Sequence, residues 1–174
     1  SIAEARPDVV VVATGAKPST QGIPGADGPW VIPAELLLAG KRTAGNKVIV
    51  LGGGSVGCEV ADYLIALEKK VTVVEFLDDL AKNAEPSQRF FLLQRIKDGG
   101  VETSLGTRIT QVLPDGAVCE KDGQMLELRG YDTVVSALGY VSDDQLLAHV
   151  IGDAKSPRDA LYAIRDAEQL AMGI

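Results

Sequence analysis

The stretch VIVLGGGSVGCEVADYLIALEKKVTVVE, Val48 to Glu75, decides the fold of this chain of 174 residues. It continues an apolar run, Lys47 to Leu51, into a glycine turn and then shows apolar residues at helical spacing from about Ser55 to Lys69. A second apolar run, Val71 to Val74, ends at an acid. The pattern predicts a strand, a tight turn, a helix and a second strand, which is the order of a parallel β-α-β unit.

Three glycines in this turn, Gly52, Gly54 and Gly57, form the pattern GxGxxG. The first permits the tight turn, the second lets a pyrophosphate approach the backbone, and the third lets the helix pack closely on its strand. The phosphates are expected at the helix N-terminus, where Ser55 and Val56 begin the helix. The sequence context, strand before and helix after, makes the pattern much more specific than the glycines alone.

Glu75 follows Gly52 at close to the spacing of about 20 residues at which an acid meets the adenosine ribose. A carboxylate there accepts hydrogen bonds from both ribose hydroxyls and repels a 2′-phosphate. The following residues, FLDD, supply no Arg or Lys for that phosphate, so NAD(H) is favoured over NADP(H). The alternative is a glycine turn with an exposed acid and no ligand. Two interpretations of Glu59 stay open: it contacts the nicotinamide side of the ligand, or it is a solvated residue of the helix.

The remaining sequence predicts more strands of the same kind. PDVVVVATG, Pro7 to Gly15, is typical of a strand buried on both faces, and YDTVVSALG, Tyr131 to Gly139, repeats its character. A helix is expected from Pro86 to Lys97, followed by short strands between Val101 and Leu128. A terminal helix is expected with Ser156 as its N-cap and Pro157 at its first position.

Composition excludes several classes of function. A net charge of −7 argues against a nucleic-acid surface, and no apolar stretch reaches the roughly 18 residues of a membrane helix. Cys58 and Cys119 form no CxxC pair, so we expect two reduced thiols in a cytoplasmic protein and no metal site. His149, the single histidine, is expected to be structural.

Four motifs in order resemble the two-dinucleotide-binding-domain flavoproteins. VIVLGGGSVGCEVADYL with KKVTVVE is similar to their NADH domain, VVVVATGAKP to the exit from their FAD domain, VSALGY to the return and VIGDA to the FAD-binding GD motif. IPGADGPWVIPAELLLAGK and GDAKSPRDALYAIRDA are similar to the C-terminal part of NADH:flavin oxidoreductases of the 2-enoate reductase and 2,4-dienoyl-CoA reductase type.

The resemblance implies a Rossmann-like α/β fold with antiparallel crossover strands, in which an NADH domain is inserted into an incomplete FAD domain. Residues 1–23 and 139–174 would be the FAD segments and residues 24–138 the NADH domain. FAD would contact Thr14, Gly15, Gly152 and Asp153, whereas Gly139 would let the nicotinamide approach. The connection DDQLLAHVIGDA is shorter than is usual in the family.

The implied function is hydride transfer from NADH to FAD, which needs no general acid or base, so no catalytic side chain is assigned. Electrons would then pass to an iron–sulfur cluster and an FMN-bearing reductase domain outside this chain. The N-terminal domains of the same enzyme are the expected partners, and the chain alone is expected to be inactive. One alternative is a non-catalytic ADP-binding module like that of trimethylamine-dehydrogenase-like enzymes. A disulfide reductase is another, which the lack of CxxC disfavours.

Overall fold

The computed structural model describes residues 2–143 and 149–173. The chain divides into two compact units: Thr20–Gly139, called here the continuous unit, and Ser1–Ser19 with Tyr140–Ile174, called the split unit. The sequence predicts these divisions after residue 23 and after residue 138. The short connection expected beyond Asp143 falls on residues 144–148, which lie outside the described residues.

Within the described residues the chain forms twelve β-strands, five α-helices and one short 3-10 helix. The strands are β1 (Val11–Val12), β2 (Ala16–Pro18), β3 (Val31–Pro33), β4 (Lys47–Leu51), β5 (Lys70–Val74), β6 (Glu102–Ser104), β7 (Thr107–Leu113), β8 (Gly116–Lys121), β9 (Gln124–Leu128), β10 (Thr133–Ser136), β11 (Tyr140–Ser142) and β12 (His149–Val150). The α-helices are α1 (Ile2–Ala5), α2 (Ala34–Leu38), α3 (Ser55–Ala66), α4 (Pro86–Asp98) and α5 (Ala160–Gly173), and the 3-10 helix is Gly152–Ala154.

A five-stranded parallel sheet forms the centre of the continuous unit, in the order β3-β10-β4-β5-β6. Its inner strands β4, β5 and β10 are rich in Val, Ile and Leu, as expected of strands covered on both faces. The side chains from Val48 to Leu51 in β4 have no solvent exposure. The predicted parallel α/β fold is therefore confirmed.

Alternate residues of this sheet face two separate cores. Val48 and Val50 pack with apolar side chains of α3 and α4, whereas Ile49 and Leu51 pack with those of β7 and β8. The second cover is the antiparallel sheet β7-β8-β9, which is the crossover that the sequence predicts. Each fully buried Val, Leu or Ile stabilises the fold by roughly 1.5–3 kcal/mol. The two layers together fix where the carboxyl ends of the strands meet.

Helices α3 and α4 pack against each other on one face of the sheet. Glu85 caps α4, because its carboxylate accepts hydrogen bonds from the backbone N–H groups of Ser87 and Gln88, each at 3.0 Å. Arg95 of α4 donates to Asp62 of α3 through Nε and Nη2, each at 2.8 Å. This bidentate ion pair fixes how the two helices are aligned.

The split unit differs from expectation at its first strand. The run from Pro7 to Gly15 is not one doubly buried strand, because β1 spans only two residues and Val9 and Val11 are 36% and 45% exposed. Val12 alone is buried in that strand. The reason is pairing: among the described residues β1 pairs in parallel with β12 and with no other strand. A second ladder pairs β2 with β11 in antiparallel register.

The predicted start of the terminal helix at Ser156–Pro157 is also wrong. Helix α5 begins at Ala160, and the Asp159 carboxylate accepts a hydrogen bond from the Leu161 N–H at 3.1 Å. The Ser156 N–H instead donates to the Gly152 carbonyl oxygen at 3.1 Å. Ser156 is therefore part of the turn that leaves the 3-10 helix, and Asp159 caps α5 in its place.

The two cysteines are free and buried, and they lie in different cores. Cys58 of α3 packs in the helical core and Cys119 of β8 in the antiparallel one. Burial raises the pKa of each thiol to about 11, and for Cys58 the charge of Glu75 adds to the effect. Residues 2–143 and 149–173 contain no group of three or more His, Cys, Asp or Glu side chains that could hold a metal ion. The same residues contain no helix of a length and hydrophobicity that could cross a membrane.

Both thiols should resist labelling by a disulfide reagent at pH 8 in the folded chain and react at once in urea. A buried thiol with a pKa of about 11 has little thiolate at that pH. The raised pKa values also stabilise the fold below pH 9.0, and this contribution is lost as the pH rises from there toward 11. Urea unfolding at pH 8 and pH 10.5 measures the loss.

The loss should be smaller for Cys119→Ala, which removes one titrating thiol without touching the glycine turn. Rapid labelling of either cysteine in the native chain would contradict the burial described here.

Candidate functional site

A cavity of about 520 Å³ opens at the carboxyl ends of β4, β5 and β10. In the sheet, β5 and β6 lie on one side of β4 whereas β10 and β3 lie on the other, so the strand order reverses at β4. Open α/β sheets bind ligands at the carboxyl ends of their strands beside such a reversal. The lining residues belong to the continuous unit: Gln21, Ile23, Gly52, Gly54, Val74, Glu75, Phe76, Thr107, Arg108, Ile109, Ala137, Leu138 and Gly139.

The turn after β4 is built on contacts that require glycine. Gly52 has a φ of +98°, and a Cβ on it would lie 2.4 Å from the Ala137 carbonyl oxygen. A Cβ on Gly57 would lie 1.9 Å from the Gly52 carbonyl oxygen, where α3 passes the turn. The Gly52 N–H donates to the Val74 carbonyl oxygen at 2.9 Å, which joins the turn to the end of β5. The fold itself therefore needs the first and third glycines.

The second glycine, Gly54, is not required by the fold. Its φ of −66° suits any residue, and a Cβ on it would meet no described protein atom within 4 Å. Gly54 lines the cavity and is the N-cap of α3, and no side chain in the described part of the chain caps this helix end. The first-turn amides of Ser55 and Val56 thus have no side-chain acceptor, and such a helix N-terminus favours an anion. The site has room and hydrogen-bond donors for a pyrophosphate.

Glu75, at the end of β5, connects the turn to the cavity wall. One carboxylate oxygen accepts a hydrogen bond from the Gly53 N–H at 2.5 Å, and the other accepts from the Leu77 N–H at 2.8 Å. Each carboxylate oxygen has a second lone pair, so both can accept a further hydrogen bond from a ligand hydroxyl. Glu75 is partly buried and lines the cavity. It therefore has a structural role in the turn besides any role in binding.

Arg108 lines the cavity although no motif in the sequence indicates it. The Thr107 N–H donates to the Glu75 carbonyl oxygen at 2.8 Å, which places β7 directly beside the end of β5. The Arg108 guanidinium carbon lies 4.8 Å from the centre of the Phe76 ring, a cation–π contact worth roughly 0.5–1 kcal/mol at an exposed site. Among the lining residues named above, Glu75 and Arg108 are the charged ones. Sequence periodicity does not show which strands lie side by side, so it does not place Arg108 at the cavity. The one usable signal in the sequence is that Phe76, which Arg108 contacts, directly follows Glu75.

The wall opposite Glu75 along the sheet is formed by the residues after β10. Gly139 has a φ of +85° and, like Gly54, no described protein atom within 4 Å of where a Cβ would be. The Gln21 side-chain amide donates to the Leu138 carbonyl oxygen at 2.8 Å, which ties the Pro- and Gly-rich segment after Ser19 to this wall. The backbone conformation at position 139 therefore favours glycine, and the absence of a side chain leaves the cavity open on that side.

Two predicted site residues line a different groove. Glu59 is exposed and, with Ser55, lines a groove of about 630 Å³ between α3 and α4. Asp62 and Arg95, which form the ion pair between the helices, line the same groove. The structure therefore separates the Glu59 side chain from the cavity at the glycine turn, whereas the backbone of Ser55 still opens α3. Val56 packs partly buried against the helical core.

The predicted flavin-contacting residues Thr14 and Gly15 lie in the split unit. The Thr14 hydroxyl donates to the Asp143 carbonyl oxygen. The Asp143 N–H donates in turn to the Gly15 carbonyl oxygen at 3.1 Å, and Gly15 has a φ of +80°. These bonds join the segment after β1 to the end of β11. The polar groups of Thr14 and Gly15 thus hold the two chain segments of the split unit close together.

Gly152 and Asp153 lie at the start of the 3-10 helix of the same unit. One Asp153 carboxylate oxygen accepts from the Arg158 N–H at 3.1 Å, and the Gly152 N–H donates to the Asp166 carboxylate at 3.2 Å. Gly152 has a φ of +60° and is buried. Both residues therefore help to position α5. His149 begins β12 and is exposed.

The fold and the cavity define a dinucleotide-binding α/β protein of the FAD/NAD type. The chain belongs to the pyridine nucleotide-disulphide oxidoreductase family, whose model matches residues 3–163. Over its whole length it is 36% identical to an NADH oxidase of Thermoanaerobacter brockii and 33% identical to a cinnamate reductase of Clostridium sporogenes. The resemblance to enoate-reductase-type flavoproteins that the motifs indicated is confirmed.

A solved 2-naphthoyl-CoA reductase in complex with 2-naphthoyl-CoA is similar over the whole chain, with a TM-score of 0.84 and 28% identity. The chain spans 28% of that protein, and 29% and 28% of the NADH oxidase and the cinnamate reductase. It therefore corresponds to under a third of each of these relatives.

Gly57→Ala and Gly54→Ala should differ in their effect on stability. The Gly57 Cβ would collide with the Gly52 carbonyl, so we expect a loss of several kcal/mol, of the order that overpacking produces. Gly54→Ala introduces no clash, and we expect a loss within about 1 kcal/mol for the altered N-cap. Urea unfolding followed by circular dichroism measures both. Equal losses for the two variants would contradict the distinct roles assigned to these glycines.

Proposed function

We propose that the continuous unit binds NADH and presents it for hydride transfer to a flavin. The observation that carries the proposal is Gly54: a position where neither backbone conformation nor packing requires glycine, facing a cavity at an uncapped helix N-terminus. A dinucleotide whose pyrophosphate approaches this turn supplies the missing reason for glycine. The two walls of the cavity are then available for the adenosine half beside Glu75 and the nicotinamide half beside Gly139.

Each part of the chain has a defined task in this proposal. The first turn of α3 donates hydrogen bonds to the pyrophosphate, and the partly buried Glu75 carboxylate accepts hydrogen bonds from the adenosine ribose hydroxyls. Gly139, without a side chain, leaves space for the nicotinamide ring. Bound NADH supplies the hydride. The protein contributes position and electrostatics, and no side chain has to move a proton.

The split unit is proposed to be part of the FAD site of the longer enzyme. Support comes from the family and from Thr14, Gly15, Gly152 and Asp153, which form tight backbone crossings of the kind that let a cofactor approach. The Arg158 N–H donates to one carboxylate oxygen of Asp153. The other carboxylate oxygen is not used in that hydrogen bond. These residues could hold FAD only together with other parts of the enzyme, so the chain alone is proposed to be inactive.

For the whole enzyme we propose onward electron transfer to an enoate or dienoyl-CoA type reductase domain that carries FMN, with an iron–sulfur cluster between. The names of the two relatives, an NADH oxidase and a cinnamate reductase, support NADH as donor and an unsaturated acid as one class of acceptor. The N-terminal domains of the same enzyme are the proposed partners. The cytoplasm is the proposed compartment, where free thiols such as Cys58 and Cys119 stay reduced.

Calorimetric titration of the chain with NADH tests the proposal through Glu75→Gln. Replacing the carboxylate weakens a charge-assisted contact to the ribose, so we expect roughly 10-fold or more weaker binding. The matched control is Glu59→Gln, the same change on a carboxylate in the groove between α3 and α4, which should leave the affinity unchanged. Because the Glu75 carboxylate also accepts a hydrogen bond from the Gly53 N–H, its replacement can destabilise the glycine turn. An unfolding curve of each variant distinguishes such a loss of stability from a loss of binding.

Gly54→Ala provides a second variant that does not depend on that side chain. Its Cβ enters the space proposed for the pyrophosphate, so it should weaken NADH while the chain stays folded. NADH binding no tighter than ADP would instead mean that the nicotinamide half makes no contact, and the unit would then be an adenine-nucleotide module without hydride transfer. Unchanged NADH affinity in Gly54→Ala would contradict the proposed position of the pyrophosphate.

A further inference from the structure

Arg108 is held beside the proposed ribose site by both backbone and side-chain contacts. Its neighbour Thr107 donates to the Glu75 carbonyl oxygen at 2.8 Å, and the Glu75 N–H donates to the Ser104 carbonyl oxygen at 2.9 Å. The guanidinium lies over the ring of Phe76, the residue that follows Glu75. The cation therefore lies against the residue that follows Glu75 and lines the same cavity as Glu75.

In the described part of the chain the Arg108 guanidinium forms no ion pair. The strand register places it opposite Glu120 of β8, a cross-strand position from which the two side chains share one face. Even so, within residues 2–143 and 149–173 no carboxylate lies within ion-pair distance of Arg108, whereas Arg89, Arg95, Arg129 and Arg158 each have at least one. The five N–H donors of Arg108 thus face solvent and the cavity that it lines.

A cation in this place alters what the carboxylate alone would do. Glu75 by itself repels a 2′-phosphate, because two negative groups would lie close together. A planar guanidinium beside it forms charge-assisted, two-pronged hydrogen bonds to phosphate oxygens and offsets that repulsion. Glu75 and Arg108 therefore act in opposite directions on the same ligand group.

We propose that Arg108 sets the nucleotide specificity of this cavity by binding the 2′-phosphate of NADPH, so that the site accepts NADPH as a second, weaker ligand beside NADH. The inference rests on the proposed function, namely that the cavity binds a reduced dinucleotide with its adenosine ribose at Glu75. It changes the expectation from the sequence, in which only residues adjoining Glu75 were candidates for a phosphate-binding cation. The cation comes from β7 instead.

The test compares NADH and NADPH binding by calorimetry in the wild-type chain, Arg108→Gln and Arg108→Lys. We expect the wild type to bind NADPH measurably but more weakly than NADH. Arg108→Gln should lower NADPH affinity about 10-fold or more and NADH affinity less than about 2-fold, the scale of one lost charge-assisted contact. Arg108→Lys should lie between, since lysine keeps the charge and loses the two-pronged geometry.

Arg129→Gln is the control, because it removes the same charge at the residue directly after β9, which does not line the cavity. It should change neither affinity. Titration with 2′,5′-ADP and 5′-AMP isolates the phosphate: Arg108→Gln should weaken only the former. Unfolding curves show whether each variant remains folded.

The outcomes separate this inference from the function on which it rests. Equal weakening of NADH and NADPH in Arg108→Gln would overturn it, since Arg108 would then only support Phe76 or the adenine ring. Binding of NADH with no measurable NADPH binding would also overturn it and leave the proposed function intact. Failure of the wild type to bind either dinucleotide would overturn both.

Discussion

Helix α3 approaches the turn that precedes it very closely, and the rest of the site depends on that approach. At Gly57 the helix backbone passes so near the Gly52 carbonyl that a single added carbon would lie 1.9 Å from the oxygen. Because the helix lies this close to β4, its N-terminus opens at the carboxyl end of the sheet instead of over one face. The uncapped amides of α3 and Gly54, which lines the cavity, lie directly beside this contact.

Glu75 extends this constraint from one strand to the next. Its side chain accepts the Gly53 N–H and its backbone joins β6 and β7 through the Ser104 carbonyl and the Thr107 N–H. A change in this carboxylate therefore acts on the glycine turn through the Gly53 N–H, whereas the backbone bonds to Ser104 and Thr107 do not depend on the side chain. In the proposed function, the same acidic residue would support the glycine turn and accept hydrogen bonds from the ribose.

The sequence was informative where neighbours in the chain are also neighbours in space. The unit from β4 through α3 to β5 was predicted because one strand, its turn and its helix are specified by local periodicity and by three glycines. The distinction between Gly54 and the other two glycines was not accessible, since it depends on whether Ala137 or an open cavity lies opposite.

Long-range pairing and competing caps account for the errors. The apolar run around Val11 predicts a buried strand, but burial depends on how many strands flank it, and in the described residues only β12 does. Ser156 and Asp159 are caps of similar strength, and the choice between them follows from the Gly152 carbonyl, which takes the Ser156 N–H. Arg108 contacts Phe76 because the Thr107 N–H bonds to the Glu75 carbonyl oxygen, a long-range contact that no local pattern encodes.

The most direct test of the central claim is the change in backbone amide NMR shifts of the chain when NADH is added. NADH should cause the largest changes at residues 52–57 and at Glu75 to Leu77, with smaller ones at Thr107 to Ile109 and at Leu138 and Gly139. The amides that line the groove between α3 and α4, from Gln88 to Arg95, should stay unchanged. Shifts confined to that groove, or no shift at the glycine turn, would contradict the claim that this cavity binds the dinucleotide.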